Sequence, residues 1–348
     1  MSHLMVDTLA SPWAADSTGL WSLSISTASS RFGEDGLGMA IVARSGSDTD
    51  PAPFAERRLD PPIDLRGAEE LRFWLRSSRP GDGGHGNPLY LAFEASSDAP
   101  PPGLSWRRLL PVKKRETWEL HRLWLGDMPA GLRQAVGFLR LRSLDPAVAF
   151  TASIDDLIAA TLEPLQDVDA ALLARLDRRF RVPIEGTLTE VPAIIDLPES
   201  PGERTPPYLL ISPWSVQVIG QRGGSGEVID NHTATGAFVR PSPREIQLEY
   251  CVDVFAQVRS QKALLIEQIL GDFGGRPHLV VNGEPLEMIP FVPSPEQVAR
   301  LISPGRTPLF YRLSVWMEAG SRQFRPLAVP MLLTGPKDGR ETAEAVTV

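Results

Sequence analysis

Asp155 and Asp156 stand side by side at the end of the apolar run FTASIDDLIAA. Two carboxylates at a strand end can hold a structural Ca²⁺ together with loop carbonyls, and they can equally cap a turn as solvated charge. The five histidines, His3, His85, His121, His232 and His278, show no H-x-x-x-H or H-E-x-x-H spacing, so no pair of imidazoles falls on one helix face. The single cysteine, Cys251, excludes an intramolecular disulfide and a Cys-rich metal site, and it lies mid-strand, away from anything that would activate a thiol. The span QRGGSGE lacks the Lys-Ser/Thr ending of a phosphate loop, and no G-x-S-x-G elbow occurs. No nucleophile, base or cofactor cradle emerges, so the chain reads as a non-enzyme without a cofactor beyond the Ca²⁺ option. Six of the eight tryptophans (Trp13, Trp21, Trp74, Trp106, Trp118, Trp124) lie early in the chain, where they serve either as core packing or as a flat stacking face for sugar rings.

The elements that position these residues follow from composition and periodicity. The chain has 348 residues, enough for two cores; 29 glycines and 33 prolines favour short elements joined by turns. The net charge of −8 is spread evenly over both halves, which speaks against electrostatic binding to nucleic acid or membrane. No basic-then-apolar leader and no long apolar span is seen, so a cytoplasmic product is expected. Short alternating segments over 38–43, 71–77, 89–95, 104–112, 118–125, 136–144 and 149–154 predict a two-sheet, all-β jelly-roll sandwich for residues 1–165.

An amphipathic connector helix is expected over 166–181, N-capped by Asp167 or Asp169. Residues 182–335 read as an α+β unit with a mainly antiparallel sheet and two or three helices, followed by a flexible tail, 336–348. Its strands are expected over 190–196, 208–219, 244–258, 308–318 and 326–333. Its helices fall over 260–271, with Ser260 as N-cap, and over 294–302. Asn282–Gly283 between apolar runs signals a hairpin. The Gly-rich span 221–239 reads as a mobile polar loop. In 244–258 the alternation places Gln247, Glu249, Asp253 and Gln257 on a wet face.

Two resemblances follow from these runs. With ELRFWLRSS, LYLAFEASSD, SWRRLLPVKKRETWELHRLWLGD and the closing FTASIDDLIAA, residues 15–165 resemble a carbohydrate-binding-module or galactose-binding-like jelly roll. That resemblance implies a calcium-bearing last strand, hence Asp155 and Asp156, and a possible glycan ligand. The order of P-Y-L-L-I, a variable loop, a long alternating strand, SQKALLIEQIL, L-V-V-N-G and FYRLSVWME resembles the tail terminators of phages and phage-like contractile particles. It implies a ring of copies, as in a hexamer, that caps a tail tube and contacts tube or sheath proteins inside an assembled particle. Interface residues would be Gln247, Glu249, Asp253, Gln257, Asn231 and His232. The leading expectation is therefore a structural assembly protein. A glycan-binding protein acting through Trp74, Trp106 or Trp118 is the alternative.

Overall fold

The computed structural model describes residues 3–9, 13–31, 38–47, 52–84, 86–97, 104–195, 205–221, 227–232, 236–274, 278–294, 307–317, 322–326, 331–332 and 345–346. The predicted helix 294–302 falls outside these residues apart from its first position. The chain is mostly β, with three α-helices among the described residues.

The first eleven strands are β1 (His3–Asp7), β2 (Ala14–Ala15), β3 (Trp21–Ser26), β4 (Gly38–Ala43), β5 (Phe54–Ile63), β6 (Glu70–Ser77), β7 (Leu91–Ser96), β8 (Ser105–Leu110), β9 (Glu119–Trp124), β10 (Val136–Ser143) and β11 (Phe150–Ala160). A short helix, α1 (Ala130–Gln134), precedes β10. One sheet runs β3-β4-β11-β6-β9, with β1 also on β11, and a second runs β2-β5-β10-β7-β8. Their inner faces meet in one apolar core that includes Phe73, Phe93, Leu139, Leu141, Trp13, Trp21 and Trp106. Strict alternation makes this possible, because every second residue of β10 (Leu139, Leu141) points inward while Phe138, Arg140 and Arg142 point out. Aromatic packing fixes the middle of the core: Phe73 stacks on Phe93 at 5.2 Å and on His121 at 5.4 Å.

All seven expected strands are present. Strands β1, β2, β3 and β5 are additional, and β5 was masked in the sequence by Pro61 and Pro62. Its pairing with β10 runs mainly through Phe54–Arg58, ahead of those prolines, where no ladder donor is lost. The carboxylate pair does not end its strand: β11 continues to Ala160, and Asp155–Asp156 form a bulge in which Asp156 has φ 53°.

A second apolar cluster gathers residues from 168 to 315. The elements of this half of the chain are, in order, α2 (Pro164–Leu176), β12 (Arg181–Ile184), β13 (Thr187–Glu190), β14 (Ala193–Ile195), β15 (Tyr208–Gln221), β16 (Glu227–His232), β17 (Gly236–Pro241), β18 (Arg244–Phe255), α3 (Arg259–Asp272), β19 (His278–Val281), β20 (Glu284–Glu287), β21 (Ile289–Pro290), β22 (Pro308–Met317) and β23 (Gln323–Pro326), of which β16, β17 and β23 give nothing to this cluster. The sheet order is β14-β15-β18-β22-β21, antiparallel except for β14 on β15. Helices α2 and α3 cover one of its faces with Val168, Leu172, Leu176, Leu265, Ile269 and Phe273. The expected connector is thus a core helix. It starts two residues earlier than expected, with Glu163 at the N-cap and Pro164 at the first position, so neither Asp167 nor Asp169 caps it. Nor does Ser260 cap α3, whose N-cap is Val258.

The span 221–239 departs most from expectation. Its described residues form the hairpin β16–β17, which carries β23 on its outer edge and extends the β2-β5-β10-β7-β8 sheet beyond β8 through the His232–Leu109 pair. Phe238 seats this ribbon against Trp124 at 5.3 Å and Phe324 at 5.3 Å. The apolar anchors that the span seemed to lack lie on the sandwich and on a strand some 90 residues further along the chain.

Candidate functional site

The outward face of the sheet β5-β10-β7-β8 carries a regular array. Strand register sets three rows across it: Arg58, Phe138, Ser96 and Ser105; then Glu56, Arg140, Glu94 and Arg107; then Phe54, Arg142, Ala92 and Leu109. The middle row alternates in charge from strand to strand, the arrangement in which cross-strand neighbours attract. Arg140 bonds Glu56, and Arg142 Nε donates to Glu94 Oε1 at 3.0 Å. Arg107 reaches the same oxygen of Glu94 at 2.5 Å.

Two phenyl rings sit within this ion-pair lattice. The Arg140 guanidinium carbon lies 5.5 Å from the Phe54 ring centroid and 5.6 Å from that of Phe138, so one cation bridges both rings. Arg142 approaches Phe54 at 4.9 Å and Arg58 approaches Phe138 at 6.0 Å. Both phenyl rings are half-buried. The outward positions of β7 are Ala92, Glu94 and Ser96, shorter than the arginines on the flanking strands and themselves buried. Flat apolar rings with fixed donors and acceptors around them can stack a pyranose face and hydrogen-bond its hydroxyls.

Sequence reading missed this set because each residue looks like an ordinary solvated strand position. The available signal was the spacing F-x-E-x-R in 54–58 and F-x-R-x-R in 138–142, which places aromatic and charged residues together on one face. The tryptophans expected to stack sugars lie elsewhere: Trp106 is in the core, and Trp74 is covered by Arg31 at 3.4 Å and donates Nε1–H to Gly283 O at 2.8 Å. Only Trp118 of the three is half-exposed, with Arg76 5.0 Å from its ring.

Asp155 Oδ2 accepts from Ser30 Oγ at 2.8 Å and from Arg31 N at 2.7 Å, and its Oδ1 accepts from Asp156 N at 3.0 Å. These bonds tie the bulge to the segment before β4. Burial, then the adjacent Asp155, pushes the Asp156 carboxyl up to about 6 against the pull of Arg31. Among the described residues no three His, Cys, Asp or Glu side chains gather around a common point. What the pair meets is a set of N–H and O–H donors and the Arg31 cation.

The wet face expected on β18 is largely buried. Glu249 is 3% and Asp253 0% exposed, because β18 is the central strand and its second face carries a small cluster of Cys251, Phe310, Trp214 and Phe291. Glu249 is held from three sides: Arg312 Nε and Nη2 donate to Oε1 at 3.1 and 2.8 Å, Gln247 Nε2 donates to Oε1 at 3.2 Å, and Ser215 Oγ donates to Oε2 at 2.7 Å. Gln247 is half-buried, and Gln257 is exposed beyond the strand end, donating to Pro206 O at 3.1 Å. Asn231 and His232 lie on β16, next to the sandwich; their side chains fall outside the described residues. The six residues expected at one interface are therefore divided between two sheets.

The two apolar clusters meet where the β19–β20 turn docks on β6. Arg72 and Trp74 donate to the carbonyls of Asn282 and Gly283, at 3.5 and 2.8 Å. Asn282 Nδ2 donates to Asp167 Oδ2 at 2.7 Å, and Arg122 pairs with Glu284. A cleft beside the turn, lined by Arg72, Arg122, Asp167 and Trp316 among others, encloses only about 50 Å³, room for a few waters.

No family model matches the chain, and no curated protein matches it. Among solved structures, the family 11 carbohydrate-binding module of the cellulosomal cellulase Lic26A-Cel5E of Clostridium thermocellum is similar to it at 13% identity. That likeness covers 46% of this chain and 94% of the module, with a TM-score of 0.35. The family 30 carbohydrate-binding module of a cellulosomal cellulase of the same organism is similar at 15% identity, covering 44% of this chain and 94% of that one, TM-score 0.33. An exo-β-agarase is similar at 12% identity over 51% of this chain and 30% of its own, TM-score 0.33.

Proposed function

We propose that the chain is a carbohydrate-binding protein whose ligand is an oligosaccharide lying across β5, β10 and β7 on the outward face of the sandwich. The carrying observation is the Phe54–Arg140–Phe138 series, in which one guanidinium spaces two half-buried rings and Glu56 and Glu94 hold the guanidinium groups in place. The two legs of that series put the ring centroids at most about 11 Å apart, within reach of one short oligosaccharide. Burial removes Trp74 and Trp106 from the tryptophan version of this reading and leaves it Trp118 alone of the three. Isothermal titration with a panel of soluble polysaccharides tests the proposal. Phe54→Ala and Phe138→Ala should each weaken binding by about tenfold or more, with unchanged circular dichroism. Full retention of affinity in the double variant would exclude this face.

The assembly reading, a ring of copies closing a tail tube, keeps one observation of its own. Among the described residues, β14 pairs with β15 only over Leu209–Ile211, and the strand beyond carries exposed Val216, Val218 and Ile219 at 55%, 63% and 52%. No charged residue occurs in β15 to discourage strand addition. On this reading light scattering should show concentration-dependent oligomers that Val218→Lys abolishes. A monomer at every concentration removes it. Glu249 and Asp253 no longer belong among its contact residues.

A further inference from the structure

The charge balance of this sheet face specifies the class of sugar. Among the described residues, the outward face of β5, β10, β7 and β8 carries four arginines (Arg58, Arg107, Arg140 and Arg142) and three acids, Glu56, Glu94 and, beyond Arg58, the exposed Asp60. Arg140 and Glu56 form one matched pair. Glu94 is different, because a single oxygen accepts from both Arg107 and Arg142, so this three-residue group carries one positive charge in excess. The Glu94 side chain is 10% exposed while that of Arg107 is 54% exposed, which turns the surplus toward solvent at Arg107. Asp16 sits past the Phe54 end, where its Oδ2 accepts from Phe54 N at 2.9 Å and its Oδ1 from Thr18 Oγ1 at 2.6 Å. In a chain of net charge −8, a local excess of guanidinium beside stacking rings is a recognition feature of its own.

We infer that the preferred ligand is an acidic polysaccharide, with a ring carboxylate seated between Arg107 and Arg142 while the sugar faces stack on Phe138 and Phe54. This deepens the carbohydrate-binding reading and rests on it. A carboxylate meets the planar donor fork of an arginine with two parallel hydrogen bonds, a geometry a neutral hydroxyl cannot reproduce. Arg142 also donates Nη1–H to Ala52 O at 3.0 Å, and each of the two guanidiniums still has N–H groups beyond those spent on Glu94 and Ala52.

Affinity electrophoresis of the full chain through gels containing polygalacturonate, and separately a neutral mixed-linkage β-glucan, tests the inference. Retardation by polygalacturonate should exceed that by the neutral glucan by about tenfold in apparent affinity, and should collapse in roughly 0.5 M NaCl. Arg107→Glu should weaken polygalacturonate binding by at least about tenfold and Arg107→Lys by much less. Arg107 is exposed enough for both variants to fold, and a thermal melt checks that they do. Equal or tighter binding of the neutral glucan overturns the acidic preference and leaves the carbohydrate reading standing. Polygalacturonate binding that Arg107→Glu does not change overturns the assignment to this face. Binding of neither polymer overturns both.

Discussion

His121 shows how one residue type acquires a role from its surroundings. It lies between the two sandwich sheets, 7% exposed and stacked on Phe73, and burial, with a smaller push from Lys113, takes its imidazole down to about 4. The folded chain therefore holds it neutral where the unfolded chain, with its ordinary value of 6.5, takes up a proton. Stability is fully present above about 6.5 and is lost as pH falls toward 4, by up to roughly 3 kcal/mol at the lower limit. Asp156 works the other way. Its carboxyl is raised from 3.8 to about 6, so its contribution is present below 3.8 and is lost as pH rises through 6. His121→Phe keeps a flat ring against Phe73 and removes the first effect. Urea titrations should show the variant gaining stability relative to wild type on going from pH 8 to pH 5. A constant difference between the two at both pH values would show that His121 is not the source of the acid sensitivity.

At the scale of elements, the β19–β20 turn fixes the junction of the two apolar clusters. Asn282 and Gly283 have φ of 49° and 75°, the two left-handed positions that a tight two-residue hairpin requires. A Cβ on Gly283 would lie 3.2 Å from Ile158 Cδ1, on the last turn-facing part of β11. Gly283→Ala should thus cost about 1–2 kcal/mol, from the left-handed backbone and the close approach together. Asn282→Gly keeps the turn and removes only the bond to Asp167, whose carboxyl is raised by burial against the hydrogen bonds from Asn282 and Thr161. Chemical denaturation of both variants measures these costs. A neutral Gly283→Ala would mean that the turn relaxes freely away from β11.

For the whole molecule, alternation and turn chemistry were enough to locate most elements. The seven sandwich strands, the long strands β15, β18 and β22, α3 and the Asn282–Gly283 hairpin all rest on local patterns that a single segment displays. What was not legible depended on neighbours distant in the chain. Whether the polar side of β18 meets water was decided by Phe291, Phe310 and Trp214 closing over it. That 227–241 forms strands was decided by an open edge at β8 and by Phe324. The binding array escaped notice for a related reason: Glu56, Arg140, Glu94 and Arg107 come from four strands, and only sheet register lines them up.

The ribbon of β16, β17 and β23 also bears on synthesis. Glu70, wholly enclosed in β6, is neutralised by Arg72 beside it and by Arg322, which follows it in the chain by 252 residues. At roughly 5–20 residues per second, a ribosome needs on the order of ten to fifty seconds to deliver that second partner. Throughout that interval the nascent sandwich has Arg72 as the one counter-ion of this pair in place, and until β16 emerges the edge of β8 lacks the strand that pairs with it. The N-terminal half thus emerges first but is completed last.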